Sequence, residues 1–113
     1  MKNLIIIAAG GMGRTFYDIA RESIGYGTVF DIKGFIDDNL QALDNFEGYP
    51  PILGKISEYQ PQKGDVFVCS IGGASRKKCM EEIIIRGGEF QTLIHKTARI
   101  GTNVKIGKGN LIA

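Results

Sequence analysis

The chain has 113 residues, 43% of them hydrophobic and 23% charged, with 14 basic against 12 acidic side chains. That is the size of one small domain, able to bury a core without disulfide or metal staples, and a net charge of +2 is too small to argue for nucleic acid or an anionic membrane as partner. No apolar run approaches the roughly 20 residues of a membrane span, and glycine, at 16 residues, is the outlier, pointing to repeated tight turns or to backbone lying close to a ligand.

Leu4-Ile5-Ile6-Ile7-Ala8 is a continuous apolar run rich in β-branched residues. It reads as a strand buried on both faces, as in a parallel sheet. After Met1-Lys2-Asn3 it superficially looks like a secretion signal, but it is short and leads into Gly10-Gly11-Met12-Gly13, a loop rather than a cleavage site. A cytoplasmic protein is the default expectation. Phe16, Ile19, Ala20 and Ile24 then fall on one helical stripe, stopped by Gly25 and Gly27. Thr28 to Ile36 reads as a second strand ending at Asp37-Asp38. Residues 39–64 are less regular, with Pro50, Pro51 and Pro61 among them and one helical turn near Ile56 to Tyr59. Asp65 to Ile71 is a third buried strand, closed by Gly72-Gly73. Ser75 to Arg86 reads as a helix with Cys79, Met80, Ile83 and Ile84 inward, terminated by Gly87-Gly88. Phe90 to Ile94 is a short fourth strand. Strands alternating with helices in this way predict an open α/β sheet over residues 1–93, a small Rossmann-like parallel sheet.

The tail, residues 94–113, follows another rule. Ile94, Ile100, Ile106 and Ile112 recur every sixth residue, and Gly101 and Gly107 follow two of them. Ala98, Val104 and Asn110 stand two places before an isoleucine. Six is neither a strand nor a helix period; it is the signature of hexapeptide β-helix repeats, one repeat forming one side of a triangular coil. The tail holds about one coil where a stack needs about three repeats or more. It stops in mid-pattern at Asn110-Leu111-Ile112-Ala113, so the expectation is the N-terminal piece of a longer protein.

Three loops are placed to carry chemistry. Ala9-Gly10-Gly11-Met12-Gly13-Arg14 joins a strand to a helix, where backbone N–H groups and the helix N-terminus can face an anion. Read from Gly11, the dinucleotide fingerprint G-x-G-x-x-G lacks its third glycine, because Phe16 stands there; a turn with glycines for steric reasons alone is the alternative. Asp37-Asp38 ends the second strand, where an acidic residue can bond a ribose hydroxyl or simply cap a turn. Ile71-Gly72-Gly73-Ala74-Ser75-Arg76 ends the third strand. Arg76 can pair a phosphate through its planar fork, or Arg76-Lys77-Lys78 can be a solvated face. All three loops lie at the carboxyl ends of strands, where open α/β sheets bind ligands. The single histidine, His95, sits at a strand end beside Lys96 and Thr97 with no carboxylate nearby in sequence, so no catalytic role is assigned to it. Cys69 and Cys79 fit neither a metal knuckle nor a redox pair and read as buried thiols.

The ordered set Leu4-to-Gly13, Gly34-Phe35-Ile36-Asp37-Asp38, Ser70-Ile71-Gly72-Gly73 with Arg76-Lys77-Lys78, and Leu93 to Gly101 resembles the N-terminal part of bacterial sugar acetyltransferases with a left-handed β-helix, of the sialic-acid O-acetyltransferase and UDP-4-amino-sugar N-acetyltransferase kind. The resemblance implies a Rossmann-like domain that binds the nucleotide-sugar acceptor, a UDP-linked amino sugar or a sialic acid. It implies a following β-helix that forms a homotrimer and holds acetyl-CoA between subunits. It also implies a general-base histidine in that β-helix, expected beyond Ala113, so no residue here is predicted catalytic and this stretch alone is predicted inactive. Acceptor contacts are expected at Gly10, Gly11, Met12, Gly13, Asp37, Asp38, Ile71, Gly72, Gly73 and Arg76, with neither nucleic acid, membrane nor metal as partner. Members often carry histidine where this chain has Met12. Two other readings stand beside it: a nicotinamide- or flavin-dinucleotide domain of an oxidoreductase or redox sensor, and a non-catalytic assembly module.

Overall fold

The computed structural model describes residues 1–99 and 109–112. Strand β1 (Lys2–Ile7) leads into helix α1 (Gly11–Arg21), then β2 (Phe30–Ile36), β3 (Ile52–Gly54), β4 (Asp65–Cys69), helix α2 (Gly73–Ile85) and β5 (Glu89–Phe90). The five strands form one parallel sheet in the order β3-β2-β1-β4-β5. The chain thus builds outward from β1 to one edge, returns to the centre at β4 and builds to the other. The order reverses between β1 and β4, and that is where a doubly wound sheet opens a crevice beyond its carboxyl ends.

The pleat of β1 sorts its side chains onto two cores. Leu4 and Ile6 join Ala20, Phe35, Val66 and Val68 on the α1 side. Ile5 and Ile7 join Phe67, Cys69, Cys79 and Ile83 on the α2 side. Leu4, Ile5, Ile6 and Ile7 are all fully buried, which explains why the strand reads as an unbroken apolar run. Among the described residues no helix is long and apolar enough to cross a membrane.

Besides shifts of one or two residues at the ends of β2, β4 and α2, the structure departs from the sequence reading in four places. Helix α1 stops at Arg21 rather than continuing to Ile24, which is 66% exposed. Ser23 ends it by turning its hydroxyl back onto Ile19 O at 2.6 Å, a competitor to the helical ladder. The irregular segment 39–64 contains a strand, β3, which is three residues long and follows Pro50-Pro51, as suits an edge strand. Ile84, expected inside, is 55% exposed, because Ile83, Ile84 and Ile85 in succession cannot share one face of a helix.

The strand expected over 90–94 is two strands. Phe90 pairs with β4, whereas β6 (Leu93–Ile94) leaves the sheet and pairs in parallel with β7 (Leu111–Ile112). Leu93 faces Leu111 and Ile94 faces Ile112, an offset of 18 residues, three times the period of six. Ile100, Gly101, Val104, Ile106, Gly107 and Ala113 lie outside the described residues.

Candidate functional site

At the carboxyl end of β1 the chain turns into α1 through Ala8, Ala9 and Gly10. Ala8 has φ 75°, a left-handed conformation that costs an ordinary side chain about 1–2 kcal/mol. Neighbours hold it there. Ala8 N–H donates to Ile36 O at 2.8 Å, and the buried Ser70 hydroxyl reaches Ile7 O at 2.7 Å and Ala8 O at 3.2 Å. A Cβ on Gly13 would stand 2.0 Å from Ala8 O, so α1 packs against the end of β1 only because residue 13 has no side chain. Gly10 caps α1 with extended backbone and no side-chain bond, and a Cβ there would meet no atom within 4 Å.

These geometries reassign the fingerprint. Its three positions serve the tight turn, close approach of the backbone to a ligand, and close packing of helix on strand. Ala8, at φ 75°, makes the tight turn, Gly13 makes the close packing of helix on strand, and Gly10, whose Cβ position is open, stands at the middle position of the same spacing. The spacing thus starts at Ala8 rather than at Gly11. Its third glycine is present as Gly13, and its first position is held by a strained alanine.

The second loop matches the first. Gly72 caps α2 with extended backbone and no side-chain bond, Gly73 has φ 66°, and neither would meet an atom within 4 Å if given a Cβ. No acidic residue stands in the first turn of either helix. Helices α1 and α2 therefore start from neighbouring strands with their N–H groups and positive ends open at the same edge of the sheet, an arrangement suited to an anion.

The two aspartates have separate tasks. Asp37 accepts Ala9 N–H on Oδ2 and Asn39 N–H on Oδ1, both at 2.8 Å, so its carboxylate ties the glycine loop to the end of β2. Asp38 is exposed and, among the described residues, is bonded only by Ser57, N–H at 3.3 Å and hydroxyl at 3.5 Å. With Ile56, Ile71, Ser75, Lys78, Cys79 and Glu82 it lines a depression of about 220 Å³. Met12 is 59% exposed beside the loop. Arg76 is turned to other work: its guanidinium donates to Cys69 O at the end of β4 and, at 2.8 Å, to Gly109 O in the tail.

Arg14 was not singled out from the sequence beyond its place in the loop. It donates to Ala9 O at 3.3 Å, and its guanidinium carbon lies 3.9 Å from the centre of the Phe46 ring. A basic residue directly after Gly13 was the available signal; Phe46, 32 residues away in an irregular segment, gave none.

His95 does have a carboxylate partner. Its Nε2 lies 2.9 Å from Glu22 Oε2, and its Nδ1 lies 2.7 Å from Thr97 Oγ1 and accepts Thr97 N–H at 3.1 Å. The bond from His95 holds the Glu22 carboxyl below its ordinary value. The pair sits at the far end of α1, about 15 Å of helix from the glycine loop, and joins α1 to β6. Cys69 and Cys79 are free and buried; their mutual contact holds the Cys69 thiol down, with help from the Arg76 charge, and pushes the Cys79 thiol up. Among the described residues no three His, Cys, Asp or Glu side chains gather into a metal site.

Strand order, loop geometry and two open helix N-termini define a Rossmann-like α/β domain. The chain belongs to the PglD N-terminal domain family, whose pattern matches residues 3–83. It is 26% identical over 117 aligned positions to UDP-N-acetylbacillosamine N-acetyltransferase of Bacillus subtilis (strain 168), covering 99% of this chain and 51% of that protein. It is also 29% identical over 107 positions to an uncharacterised protein of Acanthamoeba polyphaga mimivirus, covering 95% of this chain and 20% of that one. The chain thus spans about half the length of the bacterial relative. The resemblance drawn from the ordered motifs and the family match agree.

Proposed function

We propose that residues 1–93 bind the nucleotide-sugar acceptor of an acetyl-CoA-dependent sugar N- or O-acetyltransferase, and that residues 94–113 begin its hexapeptide β-helix. The observation that carries the reading is the glycine loop at the switch point, found in a chain of the PglD N-terminal domain family. The diphosphate would lie over Gly10 to Gly13 and Gly72-Gly73, bonded by the free N–H groups of both helices. Asp38 is the acidic side chain free to bond a ribose hydroxyl, with Ile71 beside it, while Asp37 positions the loop. The 18-residue offset between β6 and β7 supports a coil with three six-residue sides.

In this reading the acetyl donor is held by the β-helix of a homotrimer in the cytoplasm. There a histidine takes the proton from the sugar amine or hydroxyl as it attacks the thioester. We assign none of the described residues to acetyl-CoA and no catalytic part to His95. A second reading, a nicotinamide or flavin dinucleotide, is favoured by one observation: the spacing of Ala8, Gly10 and Gly13 fits that fingerprint as well. Calorimetry with UDP-N-acetylglucosamine, NAD, FAD and acetyl-CoA separates them. Selective binding of the UDP-sugar supports the proposal; selective binding of NAD or FAD, or silence with all four, overturns it.

A further inference from the structure

We propose that Arg14 and Phe46 form a clamp for the ligand's diphosphate, Arg14 supplying the charge and Phe46 holding the guanidinium in place. The inference rests on the nucleotide-sugar reading above.

Arg14 lies in the first turn of α1, and its side chain folds back over that turn. Nη1 bonds Ala9 O at 3.3 Å, and Nη2 lies 3.8 Å from where a Cβ on Gly11 would be. The guanidinium therefore stands at the mouth of the glycine loop. The guanidinium carbon lies over the Phe46 ring, 3.9 Å from its centre. That ring is 44% exposed, so it belongs to the surface and not to either core. Stacking engages the face of a guanidinium and leaves its N–H groups, which radiate in the plane, free to donate. The one protein acceptor Arg14 meets among the described residues is Ala9 O.

Charge asks for this residue. Two helix N-termini amount to about one unit of positive charge, while the diphosphate of a nucleotide-sugar carries about two negative charges. One positive charge is missing at the loop. Arg76 keeps its charge, but both of its terminal nitrogens are directed to Cys69 O and Gly109 O, away from the Gly10-to-Gly13 loop. Among the described residues the ion pairs are Lys33–Asp65 and His95–Glu22, so no carboxylate neutralises Arg14.

Calorimetry on the 113-residue chain, with UDP and uridine as probes, tests the clamp. Arg14→Gln is expected to weaken UDP about ten- to a hundredfold, the loss of one charge-assisted contact, and to leave uridine within about twofold. Arg14→Lys restores part of the loss. Phe46→Leu weakens UDP about threefold, as befits a positioning residue, and that loss vanishes in the Arg14→Gln background. A UDP affinity unchanged in Arg14→Gln, an equal loss for uridine, or a Phe46→Leu effect that persists without Arg14 overturns the clamp and leaves the nucleotide reading standing. A wild-type chain that binds neither probe overturns both. Both side chains lie outside the two cores, so melting temperatures close to wild type identify binding losses that are not unfolding.

Discussion

The glycine loop makes a prediction that separates packing from ligand contact. Gly13→Ala places a methyl group 2.0 Å from Ala8 O and 2.9 Å from Ala8 C, where ordinary contact begins at 3.4 Å. Neither neighbour can yield cheaply. Ala8 O also accepts from the Ser70 hydroxyl, and Ala8 N–H is bonded to Ile36 O, so the start of α1 must retreat by more than an ångström. Overpacking of this kind costs about 3 kcal/mol. In a domain of this size that lowers the melting temperature by about 12–24 °C. Gly10→Ala is the contrast: its φ is −72° and no atom lies within 4 Å of the new methyl, so stability should shift by no more than about 0.5 kcal/mol. The same methyl would stand where the proposed reading puts the diphosphate, so on that reading affinity for UDP should fall. Thermal melts and UDP titrations of the two variants provide the assay. A Gly13→Ala melt within 3 °C of wild type, on the same scale, refutes the close approach of α1 to β1. Unchanged UDP affinity in Gly10→Ala refutes the placement of the ligand over the loop.

Four further outcomes are expected. Ala8→Gly should stabilise the chain by about 0.5 kcal/mol in urea unfolding, because relief of left-handed strain exceeds the added freedom of glycine when unfolded; a loss instead would show that Ala8 is not strained. Asp37→Ala leaves the fully buried Ala9 without its N–H acceptor and should cost about 1–3 kcal/mol, whereas Asp38→Ala should leave the urea midpoint in place and weaken UDP. Arg76→Gln, by releasing Gly109 O and Cys69 O, should speed amide exchange at Leu93 and His95, whose N–H groups bond Asn110 O and Ile112 O; exchange rates equal to wild type would free Arg76 for a ligand role. The last concerns acid. Burial opposes ionisation of Asp65, but bonds from Tyr59, Gln62 N–H and Lys33 outweigh it and hold the carboxyl below its ordinary value of 3.8. A lowered folded value means stability that is present above pH 4 and is lost as pH falls further; Asp65→Asn should flatten that acid limb of the urea midpoint against pH, and an unchanged limb would show that other carboxylates set it.

The parts of this fold legible in sequence are those whose signal is local and long. The β1 run, the glycine loop, the β4 run and the two helices each declare themselves within a dozen residues, through unbroken burial or a helical stripe. What stayed hidden depends on partners far along the chain. Strand β3 is three residues behind two prolines and exists because β2 offers an edge. The break between Phe90 and Leu93 is set by Leu111, 18 residues on, and the carboxylate beside His95 comes from Glu22, 73 residues earlier. The site divides in the same way. Strand ends could be placed from sequence, so the loops that gather at the switch point were found. Which side chains stay free at those loops could not, because Asp37 and Arg76 are drawn off by backbone groups that only the fold brings near. The fingerprint shows why residue type alone misleads. Its first position demands a left-handed turn, and a search for glycine passes over Ala8. Yet Ile36 O, Asp37 and Ser70 fix the loop from three sides and force the turn on an alanine. The motif is a set of backbone requirements, and glycine is only the easiest way to meet each of them.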